Sequence, residues 1–363
     1  MKYLDEYRDN KQVQMLASAI RRSVTRQWHI MEICGGQTHS IARYRIEEML
    51  PDSVRLLHGP GCPVCVTPAY IIDHALEIAG RPDVIFTSFG DMMRVPGTKE
   101  DLLRVKARGA DIRMLYSPVD ALELALKNPD KEIVFFAVGF ETTIPVHLTA
   151  LKEAQRKGLE NFSLLTSLFT VPPAIDAILS DRDNKADGFL AAGHVCSIMG
   201  CKEYYPLAER YNKPIVVTGF EPIDILYGVY KCILQLETGE AYVENAYKRA
   251  VTEDGNMKAQ TLMNEVLEPF TLQWRGIGLI PLSGLRLRKE YELYDAAQKF
   301  PYKGNTGAAG DKPGMECIAG DIMKGNKQAA DCPYFGSDCS PEHPLGAPMV
   351  SAEGVCAAYY NYK

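Results

Sequence analysis

No stretch of this chain approaches the roughly 18 consecutive apolar residues that a membrane-spanning helix requires. The opening Met1-Lys-Tyr-Leu-Asp-Glu-Tyr-Arg-Asp9 is too charged for a secretory signal. Basic charge is in deficit as well: 40 Lys and Arg face 46 Asp and Glu, a formal charge of −6. That balance argues against nucleic acid or an anionic membrane as the main partner. There is no Walker A loop and no Gly-x-Gly-x-x-Gly, so nucleotide binding lacks support. Ten cysteines in 363 residues are too few for a disulfide scaffold. These absences lead us to expect a cytoplasmic protein. In a reducing compartment, grouped cysteines more often bind metal or do catalysis.

What is present reads as α/β. The length allows two or three domains, and 46% hydrophobic with 24% charged residues is ordinary for a globular protein. Residues 3–20 and 68–79 carry apolar side chains at helical spacing. Short apolar runs at 29–34, 54–58, 84–89, 112–117, 132–139, 162–170, 188–192 and 214–219 read as strands. The run Ile133-Val-Phe-Phe-Ala-Val138 has the unbroken apolar character of a strand buried on both faces. Strands alternating with helical stretches imply parallel sheets covered by helices. Gly139-Phe-Glu141 recurs as Gly219-Phe-Glu221, each closing a strand, which is consistent with a duplicated unit. Residues 221–267 look helical. From Phe300 the character changes: residues 301–348 hold eight Gly and six Pro. The expected architecture is an α/β unit over 1–130, a second over 131–250, and a helical, then loop-rich and cysteine-rich domain over 251–363.

The cysteines carry the chemistry. Cys34 ends a strand and precedes Gly35-Gly36, with Thr38 placed to cap the next helix. A thiol at such a helix mouth suits a nucleophile or a metal ligand, although a strand-end Cys is more often merely packed. Cys62-Pro-Val-Cys65 has the spacing at which two thiols form a disulfide or share a metal. It stands just before the helix at 68–79, whose dipole favours thiolate. Its bland reading is a structural zinc knuckle or inert core thiols. Cys317, Cys332, Cys339 and Cys356 contain no Cys-x-x-Cys pair. Four thiolates in a Gly/Pro-rich wrap suit an iron–sulfur cluster, with zinc as the rival. Cys196, Cys201 and Cys232 show no such pattern, and Cys232 reads as core. Strand-end polar groups at Asp91, Arg94, Glu141, His194 and Glu221 converge on one rim if the strands are parallel.

Several long motifs together resemble the nickel–iron hydrogenase maturation protein family HypD, nearly end to end. They are Cys34-Gly-Gly-Gln-Thr-His39, His58-Gly-Pro-Gly-Cys-Pro-Val-Cys65, Phe89-Gly-Asp-Met-Met-Arg-Val-Pro-Gly97 and Gly139-Phe-Glu-Thr-Thr143. Gly193-His-Val195, Gly219-Phe-Glu-Pro222 and Ser351-Ala-Glu-Gly-Val-Cys356 complete them. Gln37 departs from the family pattern, where many relatives have His; an amide cannot transfer protons as imidazole does. The resemblance implies a scaffold that assembles iron carrying two cyanides and one carbon monoxide. It implies a small chaperone, HypC, as co-ligand, a cyanide carrier, HypE, and delivery to the hydrogenase large subunit. Carried over, Cys34 ligates the substrate iron, with His39 orienting a ligand or hydrogen-bonding a cyanide. Cys62 and Cys65 form a redox dithiol, and Cys317, Cys332, Cys339 and Cys356 hold a 4Fe-4S cluster. Whether such a redox-active assembly scaffold counts as an enzyme is left open by the sequence. The rival from another class is an iron–sulfur-linked thiol–disulfide oxidoreductase acting on proteins; a zinc-stabilised binding module is the blander one.

Overall fold

A computed structural model describes residues 5–304 and 317–362. Eleven strands form two sheets among these residues. The first sheet has the order β2-β1-β7-β8-β9, all parallel. Its strands are β1 (Trp28–Glu32), β2 (Val54–His58), β7 (Gly188–Ala192), β8 (Ile215–Thr218) and β9 (Val243–Asn245). The second has the order β10-β11-β6-β5-β3-β4. It comprises β3 (Val84–Ser88), β4 (Ile112–Met114), β5 (Glu132–Gly139), β6 (Phe162–Phe169), β10 (Leu267–Trp274) and β11 (Gly278–Leu287). β3 to β6 run parallel, while β10 and β11 add an antiparallel hairpin beside β6.

All eight strands read from apolar runs are present, and the α/β class with parallel sheets holds. Two readings need correction. The first sheet draws β1 and β2 from one end of the chain and β7 to β9 from residues 188–245, so the division expected at residue 130 does not follow the sheets. Pairing between distant strands decides sheet membership, and local pattern does not encode it. The segment after 267 is also not purely helical and loop-like. Leu267, Leu272 and Trp274 are buried between exposed or half-buried neighbours, and Gly276 turns the chain at φ +75°. That is a half-buried antiparallel strand and its turn.

Period-2 alternation splits the core. On β5, Val134, Phe136 and Val138 face a core shared by the two sheets, whereas Ile133, Phe135 and Ala137 face the second sheet's outer helices. On the first sheet, Ile30, Leu56, Leu190 and Val216 pack outward against the helices Asn10–Ser23 and Pro222–Thr238. Phe86, Phe169, Phe189 and Trp274 are fully buried in the shared core, which binds the sheets into one body. No described helix is long and apolar enough to cross a membrane.

Candidate metal and dithiol centre

Strand order locates the site. In the first sheet β1 and β7 are neighbours; the chain leaves β1 toward β2 and leaves β7 toward β8, on opposite sides, which opens a crevice at the carboxyl ends of β1 and β7. Cys34 follows β1 and His194 follows β7. Cys34 Sγ lies 3.3 Å from His194 Nε2, and His194 Nδ1 lies 3.2 Å from Thr142 Oγ1. Thr142 follows β5, so the carboxyl end of the second sheet closes the same crevice. The segments that follow β1, β5 and β7 therefore meet at one rim. His194, noted in the sequence only as one of several weak strand-end groups, is the imidazole that meets Cys34.

The helix after Cys34 begins at Gly35, one turn earlier than a Thr38 cap predicts. Cys34 itself occupies the N-cap position, and no side chain caps the helix. The glycines are needed for close approach: a Cβ on Gly35 would meet Glu353 at 2.5 Å, and one on Gly61 would meet Cys34 Cα at 2.3 Å. The thiol is 1% exposed. Burial, and then the charge of Glu353, push its pKa far above the ordinary thiol range. Burial likewise lowers His194 to about 4, which leaves a neutral ring against a protonated thiol at neutral pH.

A buried polar chain fixes the Cys34 backbone. Glu32, 0% exposed, accepts the Cys34 N–H at 2.8 Å, the Thr38 hydroxyl at 2.5 Å and His58 Nδ1 at 2.6 Å. His58 Nε2 lies 2.7 Å from Tyr359 OH, which donates to Glu47 at 2.6 Å. Burial alone would lower the His58 pKa; the Glu32 hydrogen bond and charge overcome it and raise it. Gln37, fully buried, donates to the strand-end carbonyls of Ala191 and Thr218 at 3.3 and 3.4 Å, and its Oε1 has no partner.

Cys62 and Cys65 form a disulfide with Cα atoms 5.3 Å apart. Cys62 caps the short helix Pro63–Val66. That turn is tied to the Cys34 loop, where Gly35 N–H donates to Gly61 O at 2.9 Å. It is also tied to the second sheet, through Thr67 and Ser167 hydroxyls 3.1 Å apart and Arg275 N–H donating to Val66 O at 2.8 Å. On its other side it packs against Ala347–Met349 of the tail.

Cys317, Cys332, Cys339 and Cys356 line one small cavity with Ile318, Ile322, Phe335 and Met349. Burial, then the charges of Cys317, Cys339 and Cys332, raise the Cys356 pKa, so the four sulfurs lie within electrostatic reach of one another. Four soft donors around an apolar cavity fit an iron–sulfur cluster. Among the described residues, no three His, Cys, Asp or Glu side chains are arranged to hold a single metal ion. The tail is clamped onto the rim by the motif residues. His39 Nδ1 lies 3.1 Å from Ala352 O and its Nε2 3.3 Å from Tyr362 OH. Both ring nitrogens are thereby engaged with the tail. Ser351 donates to Asp91 at 2.7 Å, and Arg94 reaches the Pro341 and Val350 carbonyls at 3.3 Å.

The fold and site define an α/β scaffold whose rim presents a buried thiol and a disulfide beside a four-cysteine tail. The family model described as "Hydrogenase formation hypA family", named HypD, matches residues 11–363. The hydrogenase maturation factor HypD of Rhodobacter capsulatus is 47% identical, covering 100% of this chain and 98% of that one. Those of Azotobacter vinelandii and Escherichia coli are 45% and 42% identical, over 100% of this chain and 97% and 98% of theirs. This chain belongs to the HypD family.

Proposed function

We propose that this chain is a hydrogenase maturation factor that assembles the Fe(CN)2CO unit of nickel–iron hydrogenase. It works with a small chaperone, HypC, and a cyanide carrier, HypE, and the finished unit goes to the hydrogenase large subunit. The observation that carries the reading is the seat of Cys34 where the carboxyl ends of both sheets meet, with the Cys62–Cys65 turn packed between it and the tail.

Substrate iron is ligated by Cys34 together with a residue of the chaperone. Burial keeps the lone thiol protonated, so it ionises when a soft cation arrives to replace the proton. Glu32 holds the Cys34 N–H and thereby fixes the direction of Cys34 before iron binds. His194 contacts Sγ and, being neutral, adds no charge to the site. Cys62 and Cys65 exchange two electrons as dithiol and disulfide. Cys317, Cys332, Cys339 and Cys356 would hold a 4Fe-4S cluster, which supplies electrons singly when bound.

The rival oxidoreductase acting on protein substrates is disfavoured because Cys62 and Cys65 are 4% and 2% exposed, out of reach of a protein disulfide. Metal analysis separates the zinc module from this reading, which expects iron and sulfide in the tail. The test is infrared spectroscopy of the chain copurified anaerobically with its small chaperone. Cyanide and carbon monoxide bands are expected. In Cys34→Ala they should vanish while iron–sulfide absorbance persists. Bands surviving in a folded Cys34→Ala complex would remove Cys34 from the chemistry.

A further inference from the structure

The Gly-Phe-Glu tripeptide closes both β5 and β8, but its two rings go to different places. Phe140 is buried in the shared core against Phe169 and Trp274. Phe220 is only half-buried and leans on His194, with ring centroids 5.1 Å apart. Tyr247 meets the Phe220 ring edge-on at 6.2 Å. Arg249 stands 4.4 Å from the Tyr247 ring centroid and donates to both carboxylate oxygens of Asp224, at 2.6 and 2.5 Å. Phe220 is thus held in place by packed neighbours, although nothing in the polar chain around Cys34 uses it. Its position bears on that thiol. His194 Nε2 touches Cys34 Sγ at 3.3 Å, and Glu353 lies against Gly35. Cys34, Gly35 and Gln37 are buried, whereas Gly36 is half-buried, so this turn meets the surface at Gly36. A Cβ on Gly36 would stand 3.3 Å from the Phe220 ring and 3.7 Å from Cys34 Sγ. Ring and sulfur therefore flank a slot one atom wide, open because residue 36 has no side chain.

We propose that Phe220 and Gly36 select by width what reaches Cys34 Sγ. A metal ion, or a ligand no wider than a methyl group, passes over Gly36 beneath the Phe220 ring, and a branched or cyclic group is turned away. The identity of the cargo rests on the iron-assembly reading. Under it, the slot admits iron and the two-atom ligands cyanide and carbon monoxide and keeps bulkier thiols off the sulfur. The selection is steric, because close-packed surroundings resist even one extra carbon. The Phe220 side chain has no donor, acceptor or titratable group, so it neither ligates the metal nor moves a proton. It determines specificity, while Cys34 does the binding.

The test needs no iron, so its failure leaves the iron-assembly reading standing, and loss of that reading leaves the slot standing. The full chain is treated with methyl or benzyl methanethiosulfonate, which cap a thiol by the same exchange with groups of different width. The rate of capping at Cys34 is followed by acid quenching and peptide mass mapping. The methyl-to-benzyl rate ratio should exceed that of the urea-unfolded chain by at least about tenfold, as overpacking a close-packed site implies. Phe220→Ala should bring the ratio down to the unfolded value, and Phe220→Leu should place it between. Gly36→Ala, whose methyl group fills the slot, should slow both reagents at Cys34. Cys232, packed among Leu190, Val216 and Val229 in the outer core, reports any general loosening and should keep its wild-type rate. If Phe220→Ala speeds Cys232 in step with Cys34, the ratio in Phe220→Leu decides. A wild-type ratio equal to that of the unfolded chain would overturn the proposal. So would a ratio unchanged in Phe220→Leu, or wild-type capping of Cys34 in Gly36→Ala.

Discussion

The rim and the tail hold their thiols by opposite means. At the rim, Cys34 stands at a strand–helix junction, and its own N–H, the Thr38 hydroxyl and His58 all converge on one buried carboxylate. Every part of that arrangement comes from regular structure and is formed by the chain alone. In the tail, four thiols hang from short helices and turns around a single cavity. The tail is fastened from outside, by His39, His58, Asp91 and Arg94 reaching from the rim. In the tail the four thiols share their cavity with apolar side chains, among them Ile318, Ile322, Phe335 and Met349.

The largest expected effect tests that contrast in the tail. Cys332→Ala or Cys339→Ala should abolish iron–sulfide absorbance in anaerobically purified protein, and limited proteolysis should then cut the tail while sparing the two sheets. A variant with normal iron and sulfide content would show that the tail does not depend on these thiols. The next effect tests the rim. Glu32→Ala leaves the Cys34 N–H, the Thr38 hydroxyl and His58 without their common acceptor. Removing one partner of a buried ion pair costs about 3–5 kcal/mol. Denaturant unfolding should show a loss of that size, and Glu47→Ala, at the half-buried outer end of the same chain, a loss well below it. Equal losses would mean that Glu32 is no more central than its outermost partner.

Much of this contrast is legible in the sequence, and what is not has a physical reason. Unbroken apolar runs identify the parallel strands because burial on both faces leaves a strong local signal. β10 and β11 carry only weak alternation, though Leu267, Leu272, Trp274 and the turn at Gly276 hold it. β9 is three residues long and half-buried throughout, too short to show any period. The cysteine groups are visible from spacing and motif. The meeting of Cys34 with His194 is not, because it depends on β1 pairing with β7 across more than 150 residues. His39 illustrates the converse. Its motif position gives no sign that its ring meets the tail, which only the tertiary fold can bring there.

The smallest effect sharpens the comparison within the rim itself, where the two Gly-Phe-Glu segments close β5 and β8. Glu221 pairs with Arg8 and, with Asp224, caps the helix Pro222–Thr238 at a partly exposed site. Glu141 is fully buried, and burial raises its pKa from the ordinary 4.5 to about 8. In the unfolded chain this carboxyl loses its proton near pH 4.5, while the folded chain keeps it to about pH 8. The native state therefore binds the extra proton, and stability falls as pH rises through that window. Its contribution is complete below pH 4.5 and gone above pH 8, on the order of 5 kcal/mol. Glu141→Gln should flatten this fall in a series of denaturant unfolding curves between pH 5 and pH 8. Glu221→Gln, removing the same residue type from the same tripeptide, should keep the fall and lose only the modest worth of an exposed pair and cap. Parallel pH profiles for wild type and Glu141→Gln would mean that the buried carboxyl is ionised in the folded protein and that the two segments differ less than their surroundings indicate.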